Sequence, residues 1–123
     1  MTTLTEGKHA GGFLVWEVLR EYTRETVTLA SGAGKLEPGT VLGKITNGGK
    51  FTSLAPAATN GSQSAAGILW AGVDASTADA PSVVLLRGPA IVNRYDVVWP
   101  EGATEAQITA ATTALASLGI VLR

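Results

Sequence analysis

Ala65-Ala66-Gly67-Ile68-Leu69-Trp70-Ala71-Gly72-Val73 is the stretch that decides the fold. Its centre, Ile68-Leu69-Trp70, is continuously apolar and lacks the three-to-four-residue spacing of a helical stripe. A run of this kind suits a strand covered on both faces, central in a sheet. Outward from it, short strands recur. Upstream, Thr26-Val27-Thr28-Leu29 alternates polar and apolar, the pattern of a half-buried strand. Thr40-Val41-Leu42-Gly43-Lys44-Ile45 predicts the next strand, and Asn47-Gly48-Gly49 a hairpin turn into Lys50-Phe51-Thr52. In Leu36-Glu37-Pro38-Gly39, Pro38 pre-sets φ and Gly39 is free to take positive φ, which predicts a turn. Residues 31–34 and 56–64 read as loops.

Downstream, residues 74–81 read as a small polar loop, and Val83-Val84-Leu85-Leu86 as a strand. Gly88-Pro89 turns the chain into Ala90-Ile91-Val92-Asn93. Residues 94–100 end in Pro100, which stops or edges a strand. One helix is expected. Thr104 can cap it, with Gln107 in capping-box spacing. Ile108, Ala111, Leu115 and Leu118 form one apolar stripe, Gly119 sits where a left-handed terminator belongs, and Ile120-Val121-Leu122 follows as a last strand. The fold class is therefore mostly β (α+β): a compact β-rich single domain with one C-terminal helix and an extended N-terminal arm.

The arm has two readings. Residues 2–12 are polar and end in Gly11-Gly12, a flexible joint; Phe13-Leu14-Val15-Trp16 then runs apolar into Glu17-Val18-Leu19. The run is either a buried strand of its own domain or a strand that finds its partner on another chain.

The 123 residues fit one domain, with 46% hydrophobic and only 15% charged residues. That balance excludes disorder of the whole chain, and a weakly charged surface favours association. Net charge is −1 and the nine basic residues are scattered, which leaves no basis for nucleic-acid binding or attraction to anionic membranes. No cysteine is present, so disulfides and thiolate sites are excluded and a reducing cytoplasm fits. No apolar stretch reaches the roughly 20 residues that span a bilayer, and the N-terminus carries no signal-peptide pattern.

Chemistry is scarce. His9, the one histidine, lies in the polar N-terminal segment, whose sequence does not suggest the dry pocket a catalytic base needs. Asp74 and Asp79 sit in a Ser/Thr/Ala loop and are expected to cap turns, and Asp96 to satisfy a local amide. Gly32-Ala33-Gly34-Lys35 runs into a turn rather than a helix, unlike a phosphate loop. No enzyme, metal or cofactor is expected. Of the three tryptophans, Trp70 is expected to fill the core, whereas Trp16 and Trp99 are candidates for protein contacts.

The C-terminal half resembles the lambda-type bacteriophage head decoration proteins, the protein D family. The resemblance rests on Ala65-Ala66-Gly67-Ile68-Leu69 with residues 71–74 behind it, and on Asn93-Arg94-Tyr95-Asp96-Val97-Val98-Trp99-Pro100-Glu101. It continues through the Ala-rich helix to Leu118-Gly119-Ile120, covering residues 56–123. The first half is also similar to decoration proteins of tailed phages in Thr5-Glu6-Gly7-Lys8-His9 and in Leu36-x-Pro38-Gly39-Thr40-Val41-Leu42-Gly43, while departing from the lambda-type N-terminal portion. The resemblance implies a capsid decoration (cement) protein, made in the host cytoplasm. It would bind as a homotrimer on the outer surface of the expanded phage head and stabilise it against internal DNA pressure. The implied partners are the major capsid protein and further copies of the chain, with no nucleic acid, membrane or cofactor. Residues 1–20 become the arm and 21–123 the decoration domain. Thr3, Leu4, Thr5, Phe13, Leu14, Val15 and Trp16 are the expected capsid-binding residues, and Trp99 and Pro100 the expected subunit contact. The alternative is a β-rich phage surface module that binds glycans through Trp16 and Trp99.

Overall fold

A computed structural model of the chain describes residues 9–123. In chain order the elements are β1 (Leu14–Glu17), α1 (Arg20–Thr23), β2 (Arg24–Leu29), β3 (Gly34–Leu36), β4 (Val41–Lys44) and β5 (Phe51–Ser53), followed by β6 (Ala65–Leu69), β7 (Val73–Ala75), β8 (Ala80–Leu85), β9 (Ala90–Val92), α2 (Glu105–Ser117) and β10 (Ile120–Leu122). The fold is mostly β, as expected.

Five strands close a barrel in the order β2-β5-β4-β6-β8. β6 lies between β4 and β8, antiparallel to both, which is the central position its apolar run predicts. Alternation explains why that run has no polar face. Leu69 joins Leu29, Leu42, Phe51 and Val84 in one cluster, to which every barrel strand contributes a side chain. Ile68 points the other way, into a second cluster with Val41, Leu85, Val92, Leu115 and Ile120. The barrel wall is thus covered on both sides.

The second cluster lies under α2 and a three-stranded sheet ordered β1-β9-β10. α2 begins with the expected capping box: Thr104 Oγ accepts from Gln107 N–H at 3.2 Å, and Gln107 Oε1 accepts from Thr104 N–H at 2.9 Å. Ala111 and Leu115 are buried and Ile108 is half-buried, but Leu118 is exposed because it caps the helix end, where the stripe no longer faces the core. Gly119 takes φ +87° and turns the chain into β10, parallel to β9. The crossing there is tight: a Cβ on Gly88 would sit 1.8 Å from the Gly119 carbonyl oxygen.

Three expectations change. The expected loops at 31–34 and 74–81 are not simple loops, because Gly34–Leu36 and Val73–Ala75 pair as an antiparallel ribbon and β8 already begins at Ala80. Arg20–Thr23 forms a single helical turn. The third change concerns the arm. Phe13 is 2% exposed in the second cluster, and Leu14–Glu17 pair antiparallel with β9 of the same chain. The strand-of-its-own-domain reading therefore describes residues 13–17, and Phe13 and Leu14 pack on the folded body. The reason is local: β9 offers an open edge, and burying the Phe13 ring favours taking it. Thr3, Leu4 and Thr5 lie outside the described residues.

Candidate functional site

β1 is an edge strand, hydrogen-bonded on one side only. Its register slips between Leu14 and Trp16, and this irregularity leaves both Val15 and Trp16 outside, 63% and 50% exposed. The chain then passes through Val18 and an extended Leu19 into α1, whose turn is closed by Tyr22 and Thr23 N–H groups donating to the Leu19 carbonyl. Val18, Leu19 and Tyr22 are exposed as well. Five of the eight exposed large hydrophobic residues among the described residues therefore fall within residues 15–22. Scattered surface apolar residues need no explanation, whereas a contiguous ridge of them marks a contact site.

The ridge is anchored from below. Glu17 is the inward-facing end of β1, its side chain 11% exposed. It forms a forked ion pair with Arg24 of β2, with Nε donating to Oε2 at 3.1 Å and Nη2 to Oε1. Thr23, fully buried, donates its hydroxyl to Glu17 Oε2 at 2.6 Å. Burial pushes the Glu17 carboxyl up, but the hydrogen bonds from Arg24 and Thr23 and the positive charges of Arg24 and Arg20 outweigh it and hold the group below the usual carboxylate value. Arg24 also stacks on Trp70, its guanidinium carbon 3.4 Å from the ring centroid. Trp70 is thus half-buried and packed against the core, carrying a cation on its face as well as filling space. On the far side of the ridge, Arg87 donates to the Tyr22 carbonyl and pairs with Glu25.

Trp99 and Pro100 lie elsewhere. Both are half-buried, and they line a groove of about 360 Å³ with Lys35, Leu36, Thr40 and Val98. Trp99 packs against the core cluster while Trp16 stands out on β1, so the two rings a glycan face needs differ in kind. A cleft of about 650 Å³ carries Lys44, Lys50, Arg87 and Glu25, with Lys50 paired to Asp79 and Arg87 to Glu25. Asp74 accepts from the Ser76 hydroxyl and amide, the turn-capping work expected of it, whereas Asp79 accepts from the Ser31 N–H of a distant loop and so ties two loops together rather than capping its own. Among the described residues no group of three His, Cys, Asp or Glu side chains is placed to hold a metal ion.

Sequence reasoning found Val15 and Trp16 but missed Glu17, Val18, Leu19, Tyr22 and Arg24. The available signal was the apolar pair Val18-Leu19 continuing past the end of a plausible four-residue strand.

The family model for bacteriophage lambda head decoration protein D matches residues 3–120. The chain belongs to that family. No curated protein matches it. As a head decoration protein it is a structural component of the phage capsid rather than an enzyme, and its place is on the phage head. The match runs through the described residues up to 120, so the β1–α1 ridge and the Trp99 groove both lie within the family's extent.

Proposed function

We propose that this head decoration protein binds as a homotrimer to the outer surface of the expanded head, contacts the major capsid protein, and stabilises the shell against internal DNA pressure. The observation that carries the reading is the apolar ridge at residues 15–22, which is too large and too contiguous to be left facing water. Val15 and Trp16, with Thr3, Leu4 and Thr5 before them, supply the capsid contact; main-chain hydrogen bonds from an added strand suit such a segment. Trp99 and Pro100 supply the contact between copies.

Three footprints act together. Once one subunit engages, the others bind at millimolar effective concentration, which raises avidity by about 10² to 10⁴. A ligand that binds only the expanded lattice stabilises that lattice by mass action. Burying about 800 Å² against each neighbour takes a modest share of the 7072 Å² surface, and a chain with 15% charged residues leaves few charges to desolvate.

The test is addition of the purified chain to expanded, undecorated heads, alongside a variant lacking residues 1–8 and a Val15→Ser/Trp16→Ser variant. Saturable binding in multiples of three, with a raised bursting temperature, is expected for the intact chain, and at least a tenfold weaker binding for each variant, the scale of lost avidity. Full occupancy by both variants would overturn the assigned contact, and no binding by the intact chain would overturn the proposal.

A further inference from the structure

Residues 11–17 are gathered around one indole. Gly11, at φ +68°, crosses directly over Trp70: a Cβ there would lie 2.1 Å from the indole Cζ2. The Gly11 N–H donates to the Trp70 carbonyl at 3.0 Å. The Phe13 ring meets the same indole edge-on, with centroids 5.6 Å apart at 72°. The Arg24 guanidinium lies 3.4 Å from the Trp70 ring centroid and is forked to Glu17 of β1. One indole therefore gathers backbone from residue 11, a ring from residue 13 and, through Arg24, a carboxylate from residue 17. β1 has four residues and one neighbouring strand, which is little to hold an edge by itself.

We propose that Glu17, Arg24 and Trp70 form a clasp that fixes β1 and the chain around Gly11 on the body, and that the clasp thereby positions the shell-contacting side chains Val15 and Trp16. The inference rests on the decoration reading above, since it names what orients that contact. Glu17 and Arg24 are positioning residues: their charges are turned to each other and to Trp70, while Val15 and Trp16 face outward. With β1 and Gly11 fixed, Val15 and Trp16 are held on the exposed ridge, and less conformational freedom is lost when they dock. A loosened clasp leaves every contact residue in place but returns that freedom.

The test uses the full chain and its Glu17→Gln, Arg24→Ala and Arg24→Lys variants. Amide hydrogen exchange is measured on the free protein, and binding to expanded heads separately. Expected in Glu17→Gln and Arg24→Ala is exchange about tenfold faster in residues 9–18, over and above whatever the loss of global stability brings to β6, β8 and α2. Head binding weakens by a similar factor, about tenfold, through the lost preorganisation. Arg24→Lys keeps the charge and loses the planar fork, so intermediate exchange is expected; it also serves if Arg24→Ala does not fold. Unchanged exchange in residues 9–18 in the folded variants overturns the clasp. Faster exchange with unchanged head binding overturns its positioning role. If the wild-type chain fails to bind heads, the decoration reading fails, and the exchange measurement still decides whether the clasp exists.

Discussion

β1 and β6 begin from similar material and meet different fates. Each ends an apolar run on or beside a tryptophan: Phe13-Leu14-Val15-Trp16 in one, Ile68-Leu69-Trp70 in the other. β6 has a strand on either side, a barrel interior on one face and α2 with the outer sheet on the other, so Ile68 and Leu69 are both fully buried. β1 has one neighbour and one covered face. Phe13 reaches the core, Leu14 is half-buried, and Val15 and Trp16 are left in water. Apolar residues at β6 are used up by the fold. At β1 part of them remains, and the remainder continues into Val18, Leu19 and Tyr22. A small domain with a complete barrel gains little in folding from those exposed side chains, and the proposed head contact is the use they would have.

The sharpest way to break this contrast is to truncate each run at its buried residue. Phe13→Ala is expected to cost about 3–5 kcal/mol and Ile68→Ala about 2–5 kcal/mol, either of which lowers the melting temperature by on the order of 10 °C. Thermal unfolding of the isolated protein checks this; a Phe13→Ala loss under about 1 kcal/mol, in the range of surface changes, would return residue 13 to the arm.

A smaller effect belongs to the joint between the regions. Glu17→Gln leaves the Arg24 charge half-buried and is expected to cost about 1–3 kcal/mol at pH 7. The Glu17 carboxyl is held below its ordinary value when folded, so its contribution is present above the ordinary glutamate range and is lost as pH falls through the folded value. Wild type and Glu17→Gln should therefore converge in denaturant midpoint as pH falls from the ordinary glutamate range through the lower folded value. A gap that persists unchanged into stronger acid would show that the ion pair is not its source. The smallest effect is expected on the ridge itself. Val15→Ser/Trp16→Ser should shift the stability of the free subunit by only about 0.5 kcal/mol, even as it abolishes most head binding.

The same contrast explains what could be read from sequence. The barrel strands, the Asn47-Gly48-Gly49 hairpin and the Thr104–Gly119 helix were legible because turn chemistry, capping and alternation are local. The β3–β7 ribbon was not, since Gly34–Leu36 and Val73–Ala75 are too short to show a period and owe their pairing to each other. The place of Phe13 was not legible either. Its run is apolar enough for a strand at home or abroad, and the open edge of β9 decides between them from 77 residues away, at Ala90. Of the site, Val15 and Trp16 could be named from hydrophobicity alone. Glu17 and Arg24 could not, because a forked pair seven residues apart has no spacing signature and depends on where Trp70 sits.

The most direct measurement is a cryo-EM reconstruction of expanded heads saturated with the chain, at a resolution that traces side chains. Three copies around each local three-fold position, with residues 15–22 covered by the shell protein and the first residues running down onto it, is the expected result. Copies bound singly, or bound with Val15, Trp16 and Leu19 still open to solvent, would contradict the assignment of the ridge as the surface by which this protein grips the head.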